Sequence, residues 1–434
     1  MSGELPSSNF QPRRILVRGV NWLGDAVMTL PALERLREKF PEAHITLLTP
    51  GKLADLWHNH PALDAIVPLG LGESPFAVAR RLCAPDPTDP DAARPPQVRS
   101  QSNFIARGYG ALNTLWEAAA GVVSNRFDLA LVLPNSPRSA LEVWLARVPH
   151  RVGYTGRGRN WMLTQRVARR AGAVEMRKRS VAEVRQLIAG AGHAAMGGPS
   201  PTLSPTAHHL HQYLHLVAAV GADPTPTAPR LDVAEEEIRS AVAKHGLADL
   251  LGGDFALLGL NPGAEYGLAK RWPPERFVEA AAHLQRRVRC RWLVFGGPAE
   301  ATLAEKITAD IVYEAERPPT SGRLPPNRAA VCLAGKTSLR ELMALLKLCP
   351  VLLTNDTGPM HVAAALGTSV VVPFGSTSPE LTGPGLPGEP GHRLLNAEAP
   401  CAPCFLRECP VDFRCMTGIS VERVVSAVES VLRG

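Results

Sequence analysis

The segment Asn355-Asp-Thr-Gly-Pro-Met-His361 has the residue types of an anion-binding turn. It joins the apolar run 351–353 to the small-residue helical run 362–366. Asp356 and Thr357 therefore stand where N-cap residues stand, and Gly358 lets a ligand approach the backbone. The first-turn N–H groups there carry the positive end of the helix dipole, which suits a diphosphate. An ordinary capped helix would account for Asp356 and Thr357 but not for Gly358 and His361. Lys270 and Arg271 fall in the loop after another apolar run, just before Trp272-Pro273. A cation there either neutralises charge on a departing phosphate or is one of a solvated pair. Asp25 follows Gly24 in the first strand-to-helix loop. It reads as a helix cap or, under a closing cleft, as a general base.

Cys401, Cys404, Cys409 and Cys415 place four thiols within fifteen residues. The spacing allows a small tetrahedral knuckle holding structural zinc, four free thiols, or opportunistic disulfides. The intervals are irregular and no matching histidine supports a site, so stoichiometric metal is not expected. The cluster lies far in sequence from the residues assigned to chemistry. Its loss is therefore expected to loosen the terminal helix 421–432 more than it alters turnover.

These residues need a scaffold, and the apolar periodicity supplies one. Arg14-Ile-Leu-Val-Arg18 is a strand, 26–40 a helix with Val27, Leu30, Leu33 and Leu36 on one face, and 44–49 a second strand, which implies a right-handed crossover and a parallel sheet. Strand-like runs recur at 65–67 and 129–133. The second half repeats the pattern, with strands at 255–260, 292–295, 330–333, 351–353 and 369–373 and a helix at 274–287. Four of these strands stop at Gly296-Gly297, Gly335, Asn355-Asp356 or Phe374-Gly375. In open parallel sheets, ligands bind beyond the carboxyl ends of the strands, so these loops are expected to converge on one small molecule. The class is α/β, with two such domains facing a cleft. The Pro-rich stretch 223–229 is the linker between domains at 12–222 and 230–434, and 85–103, with five prolines, is a mobile insertion.

The 434 residues are 45% hydrophobic and 20% charged, an ordinary globular balance. No run reaches the roughly 18 apolar residues of a membrane-spanning helix. The N-terminus puts polar residues and prolines where a signal peptide needs an apolar core, so the chain reads as cytoplasmic. Residues 1–200 hold 25 Lys/Arg against 16 Asp/Glu, net +9, while the remainder is net −2. A one-sided positive field favours a polyanionic partner, or else reflects solvated Arg-rich faces. No aromatic-rich basic stripe or helix-turn-helix signature supports nucleic acid. The glycine patterns of dinucleotide-binding and P-loop sites are also missing, with bulky Trp22 in the first loop.

Taken together, residues 15–33, Leu133-Pro-Asn-Ser136 with Arg138-Ser-Ala140, the block from Pro262 to Pro273 and the Asn355 segment resemble the ADP-heptose:lipopolysaccharide heptosyltransferases of glycosyltransferase family 9. The Pro262 block is most similar to the type II branch, where the cysteine cluster also recurs. The resemblance implies a GT-B fold of two Rossmann-like domains facing a central cleft. It implies an N-terminal acceptor-binding domain and a C-terminal domain for ADP-L-glycero-β-D-manno-heptose. Asp25 matches the general base and Lys270 the lysine on the donor phosphates, with Asp25 expected away from the diphosphate turn. Asp356 matches a heptose contact, and Thr357, Gly358 and His361 the diphosphate turn. Glu300 matches an acid on the ADP ribose or base, and Thr337 a nucleoside contact. The implied reaction is inverting and needs no cofactor or divalent metal. It moves heptose to heptose I of a phosphorylated Kdo-lipid A inner core, at the cytoplasmic face of the inner membrane of a Gram-negative bacterium. The alternatives are heptosyltransferase I, another family 9 enzyme, or a non-catalytic nucleotide-sugar or glycan-binding protein.

Overall fold

A computed structural model of the chain describes residues 10–84, 126–190, 204–252, 254–316 and 328–433. The expected insertion at 85–103 lies outside the described residues. The chain forms two compact units. The first draws on Met1–Asn21, Ala32–Ala171 and Tyr213–Thr225, and the second on Trp22–Pro31, Gly172–Gln212 and Pro226–Gly434. Two segments from the first half of the sequence thus pack with the second unit.

The first unit is built on six parallel strands, β1 (Arg14–Arg18), β2 (His44–Pro50), β3 (Ala65–Leu69), β4 (Leu129–Val132), β5 (His150–Tyr154) and β6 (Gln165–Val167). Their order, β3-β2-β1-β4-β5-β6, is that of a doubly wound sheet. The central strands are covered on both faces and read as continuous apolar runs, with Ile15, Leu16, Val17 and all of β4 fully buried. The helix expected at 26–40 is two helices, α1 (Leu23–Met28) and α2 (Leu30–Lys39). Pro31 explains the break, because it has no N–H for the Val27 carbonyl and its ring crowds that carbonyl. Thr29 fills the junction by donating its hydroxyl to the Ala26 carbonyl at 2.7 Å.

An ion pair closes the carboxyl edge of this sheet. Arg18 ends β1, and its Nε donates to Glu142 Oε2 at 2.7 Å, with the two side chains 5% and 0% exposed. Glu142 lies on α3 (Pro137–Leu145) and also takes Arg138 at 3.2 Å.

The second unit repeats the design with β7 (Ala256–Asn261), β8 (Cys290–Val294), β9 (Ala330–Cys332), β10 (Val351–Thr354), β11 (Ser369–Phe374) and β12 (Arg393–Asn396), again all parallel. The order β12-β11-β10-β7-β8-β9 matches the first sheet once counted from β7. The chain reverses its direction of winding between β7 and β10, and their carboxyl ends leave a crevice there. Trp272, Phe277 and Trp292 fill the core under the sheet with α4 (Pro274–Arg287). Among the described residues, no helix is long and apolar enough to cross a membrane.

Replacing one partner of a buried ion pair strands the other charge, which costs about 3–5 kcal/mol. Glu142→Ala is therefore expected to lower unfolding free energy by about that amount in urea denaturation. A loss below about 1 kcal/mol would show that Arg18 does not depend on this carboxylate.

Candidate functional site

A cavity of about 880 Å³ lies at the β7/β10 crevice, wholly within the second unit. The loops after β7, β8, β9, β10 and β11 all reach it, as the strand-end glycines and acids led one to expect. All eight residues singled out from the sequence, Asp25, Lys270, Glu300, Thr337, Asp356, Thr357, Gly358 and His361, line it.

Lys270 is not a solvated lysine. Its loop runs from the end of β7 through a short turn, Leu268–Lys270, and its ammonium lies 2.6 Å from Asp356 Oδ2, with the two side chains 13% and 5% exposed. Thr377 donates to the same carboxylate oxygen at 2.6 Å. Asp356 therefore serves as the counter-ion of Lys270, correcting its expected role as a helix cap. Asn355 fixes the geometry: its Oδ1 accepts from the Trp272 N–H at 2.9 Å, and its Nδ2 donates to the Pro262 carbonyl at 2.7 Å. One buried amide thus ties both ends of the Lys270 loop to the end of β10.

The helix α5 (Gly358–Ala365) begins with Thr357 in extended conformation as N-cap residue, and no side-chain cap bond forms. Pro359 in its first turn has no N–H to satisfy. His361 is fully enclosed, and burial pushes its pKa down to about 4. At neutral pH it is an uncharged ring rather than a cation.

Asp25 is not remote from this turn. It sits on α1, which packs so closely on α5 that a Cβ on Gly358 would fall 2.8 Å from Leu23 Cβ, and one on Gly24 2.7 Å from His361 Cδ2. Burial pushes the Asp25 pKa up, while His209 and Lys270 pull it down and Asp356 pushes it up again. The expected separation came from the chain order of the two segments. The structure overrides it because the segment 22–31 packs with the second unit.

Glu300 lies in the turn after β8. Its Oε2 accepts from the Gly297 N–H at 3.0 Å, while its Oε1 is buried and accepts no hydrogen bond from the protein. A Cβ on Gly263 would fall 2.0 Å from that oxygen, so glycine makes room for the carboxylate. Arg271 stands 3.8 Å from Glu300 and donates to the Ala264 carbonyl at 3.2 Å.

Four further cavity residues escaped sequence reasoning: His209, Asn261, Tyr266 and Arg407. Asn261 ends β7, and its Oδ1 is buried without a protein partner while its Nδ2 donates to Thr354 at 3.1 Å. Its place at a strand end was a usable signal. His209 and Arg407 gave none, since each sits in a segment whose apolar or cysteine pattern dominates.

The cysteine segment is far in sequence from the residues assigned to chemistry, yet the fold brings it to the cavity. Phe405 and Arg407 line the cavity, and Cys401, Cys404 and Cys415 belong to the core beneath it. All four cysteines of the cluster are free thiols. Among the described residues, no group of three or more His, Cys, Asp or Glu is arranged to hold a metal ion.

Comparisons with known proteins show the family and the fold. Residues 116–413 match the model of glycosyltransferase family 9 (heptosyltransferase). The chain belongs to that family and is a glycosyltransferase. It is 28% identical over 374 residues to lipopolysaccharide heptosyltransferase 2 of Salmonella typhimurium, covering 86% of this chain and 85% of that one. Among solved structures it is similar to the ADP-heptose lps heptosyltransferase II of E. coli, with a TM-score of 0.63 at 24% identity, covering 97% and 98% of the two chains. It is also similar to a family 9 glycosyl transferase from Veillonella parvula, with a TM-score of 0.64 at 21% identity, covering 97% of each. The two doubly wound sheets are those of the GT-B fold.

Proposed function

We propose that the chain is an inverting heptosyltransferase of the second type, moving L-glycero-D-manno-heptose from ADP-heptose to heptose I of the lipopolysaccharide inner core. The observation that carries this reading is that Asp25 and the Lys270–Asp356 pair share one cavity at the crevice of the second sheet. A site that only bound a nucleotide sugar would have no use for a desolvated carboxylate beside the anion turn. The relatives called heptosyltransferase 2 supply the substrate class.

Asp25 takes the proton from an acceptor hydroxyl as that oxygen attacks the anomeric carbon, and the bond to ADP breaks on the opposite face. Burial favours this role, because a carboxylate with a raised pKa is a stronger base. The donor diphosphate takes Lys270 from Asp356, and the turn at Thr357 and Gly358 meets the same charge with helix-dipole N–H groups. Asp356, relieved of the ammonium, accepts from a heptose hydroxyl. Neutral His361 supports the turn, while Glu300 Oε1 receives the ribose or base and Thr337 flanks the nucleoside. The protein groups provide the charge stabilisation, with no cofactor invoked. The basic first half, net +9, recognises the phosphorylated Kdo-lipid A acceptor, with peripheral contact at the cytoplasmic face of the inner membrane.

The reading is tested by incubating the protein with ADP-heptose and core acceptors carrying one heptose or none. Transfer to the one-heptose acceptor alone is expected. Transfer only to the heptose-free acceptor would make the chain a first heptosyltransferase, and transfer to neither would overturn the heptosyltransferase reading.

Asp25→Asn is expected to lower kcat by at least the ~100-fold associated with a lost general base, without weakening ADP binding. Turnover like that of the wild type would remove Asp25 from the chemistry. The wild-type kcat is also expected to fall with acid, because the base must be ionised. The raised pKa places that fall above the ordinary range of an aspartate, and His209→Phe, by removing a group that lowers the Asp25 pKa, should move it to still higher pH. A pH profile unchanged in His209→Phe would contradict the coupling.

A further inference from the structure

Among the cations that line the cavity, Arg407 shares an aromatic contact with Lys270. Arg407 comes from the cysteine segment, and its guanidinium carbon lies 5.2 Å from the centre of the Tyr266 ring. Lys270 Nζ lies 4.9 Å from the same ring. One aromatic side chain therefore anchors both cations beside the anion turn, an arrangement favourable to each by cation–π attraction. The two differ in their counter-ions. Lys270 is paired with Asp356, whereas among the described residues no carboxylate lies within salt-bridge distance of Arg407.

Four hydrogen bonds hold the backbone of residues 404–407. The Cys404 carbonyl accepts from the Arg179 N–H at 3.0 Å, and the Phe405 N–H donates to the Ser376 carbonyl at 2.7 Å. The Phe405 carbonyl accepts from the Tyr266 hydroxyl at 2.7 Å, and the Arg407 carbonyl accepts from the Ala269 N–H at 2.9 Å. Gly267, with φ of +152°, allows the last contact, since a Cβ there would fall 2.4 Å from the Arg407 oxygen. Buried Cys404 at one end and buried Cys415 further along root the strap in the core. The strap therefore holds the Lys270 turn directly, one residue from the lysine.

We propose that Arg407 is a second phosphate-binding cation of the donor site, held by the cysteine-rooted strap 404–407 on the same tyrosine as Lys270. The proposal rests on the reading of this cavity as the ADP-heptose site. An unpaired guanidinium can engage two phosphate oxygens at once, which an ammonium cannot, so Arg407 would grip the diphosphate in both donor and departing ADP.

The test is calorimetric titration of the full chain with ADP and with adenosine, comparing wild type, Arg407→Ala and Arg407→Lys. Arg407 is exposed, so the alanine variant is expected to keep the wild-type melting temperature. Arg407→Ala should bind ADP about tenfold or more weakly, as for a lost hydrogen bond to a charged group, and bind adenosine unchanged. Arg407→Lys should recover part of the ADP affinity. Equal ADP affinity in wild type and Arg407→Ala would overturn the proposal while leaving the donor reading intact. An equal loss for ADP and adenosine would also overturn it, by showing a structural role. A wild-type chain that binds no ADP would overturn the donor reading and this proposal with it.

Discussion

The 2.6 Å contact between Lys270 and Asp356 is a buried charge pair, and the surrounding elements are arranged so that it can exist. Taking two ions out of water costs more than their attraction returns unless further hydrogen bonds complete the set. Thr377 supplies one to the carboxylate, and the Tyr266 ring faces the ammonium. Asn355 then prevents the lysine loop from drifting away from β10, with one bond to each end of that loop. A pair built this way stores a cation in neutralised form. An anionic ligand that takes the ammonium needs no free lysine waiting in solvent, and it frees the Asp356 carboxylate to accept another hydrogen bond.

The same burial sets the protonation states around the pair. His361 and His208 are both pushed down to about 4 and carry no charge at neutral pH. Burial pushes the Asp25 pKa up and the His209 pKa down, while each partly offsets the other. Lys270 and Asp356 therefore carry their charges beside a neutral His361. The two close glycine contacts explain why α1 can bring Asp25 this near to α5. Any side chain at Gly24 or Gly358 would drive the helices apart.

Most of the parallel framework was readable because buried strands are continuous apolar runs. Runs such as 14–18, 351–353 and 369–373 became strands within a residue or two, and the terminal helix Val421–Leu432 matched its expected bounds. Three strands were not read. His150–Tyr154 and Arg393–Asn396 have polar ends that leave only short apolar runs, and Gln165–Val167 is too short to show a period. All eight candidate site residues converged, since strand-end glycines and acids mark the ligand edge of such sheets. What stayed illegible was tertiary. Chain order placed Asp25 far from the anion turn and the cysteine segment far from Lys270, and nothing in either local pattern reveals that packing brings each beside the other. Asp356 likewise looked like a cap because its type and position fit one. Only the fold shows that Lys270 claims it.

The central claim is that the Lys270 cation, lent to Asp356 when the cavity is empty, binds the donor phosphates. The direct measurement is ADP affinity by calorimetry in Lys270→Ala and Asp356→Asn. If the phosphates compete with Asp356 for the ammonium, Lys270→Ala binds ADP at least about tenfold more weakly, whereas Asp356→Asn binds it as tightly as wild type or more so. Undiminished ADP affinity in Lys270→Ala would contradict the claim.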